Sequence, residues 1–233
     1  MKNNRVPLVG KTLAALSVIC TFAVSSAWAT VVTWNLNPSG AEGEVGSSSQ
    51  TFTSSGYNIT AYGYTVGSPV TPLGLYFKNQ GTDETGLGIV GPADHELQGN
   101  GVSPLQFIQL DVSSILAAGF TDGKIEIGSV QAGSNDTFVI LGSSTLGDPG
   151  QQIGGVYDNS SDMVFLSIAD FASYKFISIG ALSGDVLPVA FQATLAPVPE
   201  ISALFPIIGL VVAVSLTQLL RRRRMAQLRS GSR

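Results

Sequence analysis

The sequence carries one cysteine, one histidine and two tryptophans in 233 residues. The cysteine, Cys20, lies inside an N-terminal apolar run over residues 12–24, and the residue before it, Ile19, is branched where a lipoprotein signal requires a small side chain. Lys2, Arg5 and Lys11 precede or open that run, and Ala27-Trp28-Ala29 supplies the small residues at which signal peptidase cuts. Residues 1–29 therefore read as a signal peptide removed after Ala29. The exported chain keeps no cysteine, which excludes disulfides and thiol chemistry. With His95 as the one histidine and no G-x-S-x-G segment, a nucleophilic triad has a single residue to rest on.

Positive charge is equally scarce where it would matter. Residues 30–199 hold three lysines, Lys78, Lys124 and Lys175, and no arginine, against fifteen Asp and Glu, a formal charge of −12. The whole-chain value of −4 conceals this, because the other nine basic residues sit in the two terminal segments. A surface so charged repels nucleic acid and anionic lipid, both of which need clustered Lys or Arg. It leaves divalent cations as the better charged partners.

Helical periodicity is nearly missing from this middle region; only residues 113–118 suggest a helical turn. Short segments rich in Val, Ile, Phe, Tyr and Thr alternate instead with clusters of Gly, Ser, Asn, Asp and Pro. They predict strands over 30–35, 59–65, 75–78, 107–111, 124–130, 137–141, 163–168, 174–179 and 186–195. Lys124-Ile125-Glu126-Ile127 shows the alternation most clearly, with both isoleucines on one face. Residues 42–49, rich in Gly and Ser, read as a loop. Many short strands with polar turns predict an all-β domain over 30–195, an antiparallel β-sandwich of jelly-roll type.

Gly86-Leu87-Gly88-Ile89-Val90-Gly91 matches the dinucleotide-binding pattern G-x-G-x-x-G, with Asp111 near the distance of a ribose-binding acid. The pattern requires a strand before it and a helix opening within it. Here a polar turn over 79–85 precedes and Pro92 follows, so the glycines belong to a turn or an edge strand. Beside them stand Asp83, Glu84, Asp94, His95 and Glu96. Carboxylate oxygens on loops suit Ca²⁺, so Asp83, Glu84, Asp94 and Glu96 form the one metal site the sequence suggests; no other cofactor is expected.

Glycan chemistry leaves two traces. Glu126 is the acid most plainly borne on a strand, where it would serve a small secreted glycan hydrolase if a second carboxylate faced it, and is an outward surface charge otherwise. Tyr62 and Tyr64 share one strand face, a pairing that packs into the core of most sheets and stacks on a sugar when it faces solvent. Trp34, the one tryptophan of the mature chain, is thin material for a carbohydrate platform.

The C-terminus repeats the membrane theme of the N-terminus. Residues 201–220 contain no charge, and a helix of twenty residues reaches ~30 Å, one hydrocarbon thickness. Arg221, Arg222, Arg223 and Arg224 follow at once and open a basic tail over 221–233, which stays cytoplasmic under the positive-inside rule. Ahead of the span, residues 196–200 form a linker that Pro197 and Pro199 hold extended. The order Val198-Pro199-Glu200, single span, basic cluster resembles the PEP-CTERM sorting signal of Gram-negative bacteria, with Ile201 where a second proline is usual. The resemblance covers about the last 35 residues. It implies recognition by an exosortase, an integral-membrane transpeptidase-like enzyme, and a link to exopolysaccharide or biofilm. The expectation is a non-enzymatic, surface-sorted matrix or adhesive protein, exported across the inner membrane, held there by its C-terminal helix, and then displayed at the cell surface or released. The glycan hydrolase is the alternative.

Overall fold

The computed structural model describes residues 29–81, 84–131, 135–197 and 204–230, with side chains in the last stretch described only for 208–222. The signal peptide up to residue 28, the sorting tripeptide Val198, Pro199 and Glu200, and Asp83 lie outside the described residues. The chain divides into a β unit, Trp28–Val198, and a second unit that contains the C-terminal helix.

In chain order the β unit runs β1 (Thr30–Asn35), β2 (Gly43–Glu44), β3 (Ser49–Ser54), β4 (Tyr57–Thr65), β5 (Pro72–Leu73), β6 (Leu75–Asn79), β7 (Thr85–Ile89), β8 (Leu97–Gln98) and β9 (Gln106–Asp111). After the short helix α1 (Ser113–Ala117) come β10 (Phe120–Gly128), β11 (Thr137–Ser143), β12 (Gln151–Tyr157), β13 (Phe165–Ser167), β14 (Phe176–Ser183) and β15 (Asp185–Leu195). Among the described residues these strands form three sheets, and every pairing is antiparallel. The first is ordered β1-β15-β10-β13, with β8 on the free end of β15. The second is ordered β12-β11-β14-β9-β4-β3, with β5 beside β4. The third is the small sheet β2-β6-β7.

Alternation decides which side of each strand is buried. In the first sheet Val32, Trp34, Ile125, Ile127, Phe191 and Ala193 point inward; in the second Ile59, Ala61, Ile108, Leu110, Ile140, Ile177 and Ile179 do, and the two sets share one core. Trp34 is its anchor. Its ring meets Phe120 and Phe191, each at 5.8 Å between centroids, and its Nε1 donates to the carbonyl of Tyr57 on the opposite sheet at 2.9 Å. An indole buried with its N–H satisfied gives area without an unpaired polar atom. Helix α1 closes one end with Ile115 inside. The Asp111 carboxylate accepts the Ser113 amide at 2.9 Å at its start, and Gly119, at φ +94°, follows its end.

The β-sandwich expected from the sequence is the fold observed. Several segments differ. β2 lies wholly within the expected loop over 42–49, and β3, not expected, begins at its last residue, because Phe52 is the one side chain among Ser49–Ser54 that the core takes up. β12 carries two glycines and buries Ile153 alone, so its apolar signal is too thin to read. β13 is shorter than the expected 163–168, since Met163, at φ +51°, turns the chain before the ladder begins. β14 starts at Phe176, after the 3₁₀ turn Phe171–Ser173 has consumed the approach.

The C-terminal helix α2 spans Leu204–Ser230. Every described side chain over 208–222 is exposed, including Val211, Leu216 and Leu220 at 57–59%. Among the described residues no helix is long and apolar enough to cross a membrane.

Candidate functional site

The acidic segment 94–96 and the glycine run are parts of one construction. β7 covers Thr85–Ile89, so the G-x-G-x-x-G pattern lies on a strand and the turn after it, with no helix opening inside. Its glycines are required by close packing. A Cβ on Gly86 would strike the Pro188 carbonyl of β15, and one on Gly88 would strike the carbonyl of His95 far inside van der Waals contact. The Ile89 amide donates to that His95 carbonyl at 3.0 Å, and His95 itself takes a left-handed φ of +62°. The turn therefore lays the His95 ring on Tyr76 of β6, at 3.8 Å between centroids and 12° between planes. Among the described residues the buried His95 Nδ1 has no hydrogen-bond partner.

Glu96, 2% exposed, points into the unit and pairs with the ammonium of Lys78, itself 3% exposed. Ser129 donates its hydroxyl to the same Glu96 oxygen at 2.8 Å. Glu84 approaches the ammonium from the more open side, at 3.1 Å, and its other oxygen accepts from Gln131 Nε2 at 3.2 Å. Burial alone would lower the proton affinity of Lys78, but the hydrogen bonds and charges of Glu96 and Glu84 outweigh it and hold the ammonium above its usual range. The strand that carries Lys78 is fixed from behind, where Asn37 Nδ2 donates to the Lys78 carbonyl at 2.9 Å.

Asp94 lies at a different contact. One of its oxygens accepts the Glu96 amide at 3.3 Å, and its carboxyl meets that of Asp185 at the start of β15. Burial, the neighbouring Asp94 and the charge of Asp136 raise the proton affinity of Asp185 above the ordinary carboxylate range, and Gln98 offsets part of this.

Three of the four carboxylates expected to share a calcium ion lie among the described residues, and each has another partner. Glu84 and Glu96 are engaged by a lysine, Asp94 faces Asp185, and Asp83 lies outside the described residues. Among the described residues no group of three or more His, Cys, Asp and Glu is placed to hold a metal ion. A divalent cation there would have to displace an ammonium that already satisfies two of the oxygens. The residues sequence reasoning missed are Lys78, Ser129 and Asp185. Lys78 had a signal: it is one of three lysines in an acid-rich region, within an apolar strand.

Glu126 faces outward between the buried Ile125 and Ile127, as the alternation predicts, and partial burial raises its proton affinity. Its in-register neighbours are Ala190 and Phe165, so the ladder sets no second carboxylate directly opposite it. Trp34 belongs to the core.

Tyr62 and Tyr64 differ from the core placement that such pairs usually take. Ile59, Ala61 and Gly63 fill the inward side of β4, and the tyrosines stand half-buried on its outward side. Their rings lie within 19° of parallel at 6.4 Å, and Tyr64 stacks on Phe107 of β9 at 5.2 Å. The loop over 144–150 folds back across this face. Gln109 Nε2 donates to the Asp148 carbonyl at 2.7 Å, and the Gly147 amide donates to Gln109 Oε1 at 2.7 Å. No protein-family model matches the chain, and no curated protein matches it in sequence.

Two outcomes are expected. Lys78→Met leaves Glu96 buried without its counter-charge and should lower the urea-unfolding free energy, followed by Trp34 emission, by roughly 3–5 kcal/mol. Adding Glu96→Met should recover most of that loss. Asp185→Asn should raise the melting temperature at neutral pH. Because the folded-state proton affinity of Asp185 is raised, wild type loses stability as pH rises above the ordinary carboxylate value of about 4, and the advantage of the variant should fade as pH falls to that value.

Proposed function

We propose that this chain is an exported, surface-sorted protein whose β-sandwich is a non-enzymatic adhesive or matrix domain associated with extracellular polysaccharide. Its C-terminus acts as a PEP-CTERM-like sorting tail. The observation that carries the reading is the tail. The β unit ends at Val198, at the Pro-rich linker, and its core draws on residues up to Leu195. Beyond the linker stands a helix whose described aliphatic side chains are exposed around its whole circumference. A helix apolar on all sides is suited to lipid rather than water. The span runs over 201–220, and Arg221, Arg222, Arg223 and Arg224 hold its end on the cytoplasmic side. An exosortase-type enzyme of the inner membrane is the processing partner, acting at Val198-Pro199-Glu200.

The sandwich is of jelly-roll type in this reading. Its eight principal strands are β1 and then β9 to β15 in chain order, and they stand as β1-β15-β10-β13 in one sheet and β9-β14-β11-β12 in the other. The first strand thus pairs with the last, and the remaining strands pair across two Greek keys. The segment from β2 to β8 is inserted between the first two. Aromatic side chains on the outward face of the larger sheet favour glycan contact over catalysis, and Glu84, Asp94 and Glu96 are engaged with Lys78 and Asp185 in holding the fold.

Replacing the four arginines with serine should misplace the protein or release it unprocessed, as read by fractionation and by the mass of the tail. Unchanged localisation and processing would remove the basis of the proposal.

A further inference from the structure

We propose that the outward face of the larger sheet, centred on Tyr62 and Tyr64, is the binding site for a neutral polysaccharide chain. The inference rests on the polysaccharide-associated reading above and names the surface that would serve it.

Three observations converge there. The first is shape. Tyr62 and Tyr64 stand side by side on the outward side of β4 with rings within 19° of parallel, and the buried Phe107 ring stacked on Tyr64 backs the pair. Two residues beyond Tyr64 the ladder continues, with the Val66 amide donating to the Leu105 carbonyl at 2.9 Å, and both side chains are 43% exposed. Leu146, on the loop whose Gly147 lies against the Tyr64 ring, is 46% exposed. A pyranose carries its apolar C–H bonds on its ring faces, and these pack on the electron-rich face of an aromatic ring.

The second observation is the polar complement. The same loop borders a cavity of about 470 Å³ lined by Ser143, Thr145, Asp148, Gln151 and Tyr174 among others. Hydroxyl, amide and carboxylate groups of this kind hydrogen-bond the hydroxyl edges that stacking leaves free. Gln109 clamps the loop to the sheet through Asp148 and Gly147, so strip and cavity keep a fixed relation.

The third is charge. Residues 30–199 carry −12, and one of their three lysines, Lys78, is buried. An acidic polymer such as a uronate would be repelled, whereas a neutral hexose polymer meets no such barrier.

The test is affinity electrophoresis of the full chain in mild detergent, through gels containing hydroxyethyl cellulose, galactomannan or alginate. Retardation is expected with a neutral polymer and not with alginate. Tyr62→Ala with Tyr64→Ala should weaken it about tenfold or more at a temperature where circular dichroism shows the variant folded, since taking Tyr64 off Phe107 lowers the melting temperature, and Tyr62→Phe with Tyr64→Phe should restore most of it. No retardation by either neutral polymer, equal retardation by alginate, or full retardation of the double alanine variant would each overturn the site. Self-association that the double alanine variant abolishes, without glycan retardation, would mark the strip as a contact between copies and overturn it as well. None of these results touches the sorting tail, which the arginine variant tests separately.

Discussion

A buried ammonium organises the segment from Glu84 to Glu96 and ties it to the β-sandwich. Lys78 is one of three cations among residues 30–199, and the fold spends it in the interior, on Glu96, with Glu84 closing the open side. A charge out of water is tolerated only when paired and hydrogen-bonded, and the carboxylate of Glu96 has Ser129 as a second donor. The contacts come from distant parts of the chain. β6 supplies Lys78, the turn before β8 supplies Glu96, and the end of β10 supplies Ser129, so the ion pair joins the small sheet to the sandwich. The glycines of β7 belong to the same arrangement, because Gly88 makes room for the His95 carbonyl and lets the turn present Glu96 inward.

This divides the labour between two parts of the surface. The residues with the most conspicuous chemistry, Asp94, His95 and Glu96, are used to build: one meets Asp185, one stacks on Tyr76, one neutralises Lys78. The tyrosines of a plain alternating strand, Tyr62 and Tyr64, instead stand half-buried on its outward side. A buried charge network contributes specificity of packing more readily than net stability, which suits a domain that must hold an inserted three-stranded sheet in one register.

Much of the fold was legible because period-two alternation survives wherever a strand has two or more inward apolar residues, as in β1, β10 and β15. Where the core takes one side chain, as with Phe52 in β3 or Ile153 in β12, the pattern fell below notice. The rejection of a dinucleotide loop at 86–91 rested on what flanks the glycines, and close packing against Pro188 and His95 supplies their physical reason. The acidic cluster was legible as a cluster but not as a site. Proximity in sequence placed four carboxylates together, while the lysine that engages two of them comes from a neighbouring strand and the partner of Asp94 lies some ninety residues further on. Pairings between strands are set by register, which composition does not reveal. The outward placement of Tyr62 and Tyr64 escaped for the related reason that alternation shows which residues share a face and not which face meets the core.

The burial of Lys78 can be measured directly, since the β unit has only three lysines. Brief acylation of the folded protein with an amine-reactive reagent at mildly alkaline pH, followed by peptide mass spectrometry, reads each of them separately. Lys175 is exposed and Lys124 partly so, and both should be modified, while Lys78 should stay unmodified until urea unfolds the chain. Modification of Lys78 in the folded protein at the rate of Lys175 would contradict the account.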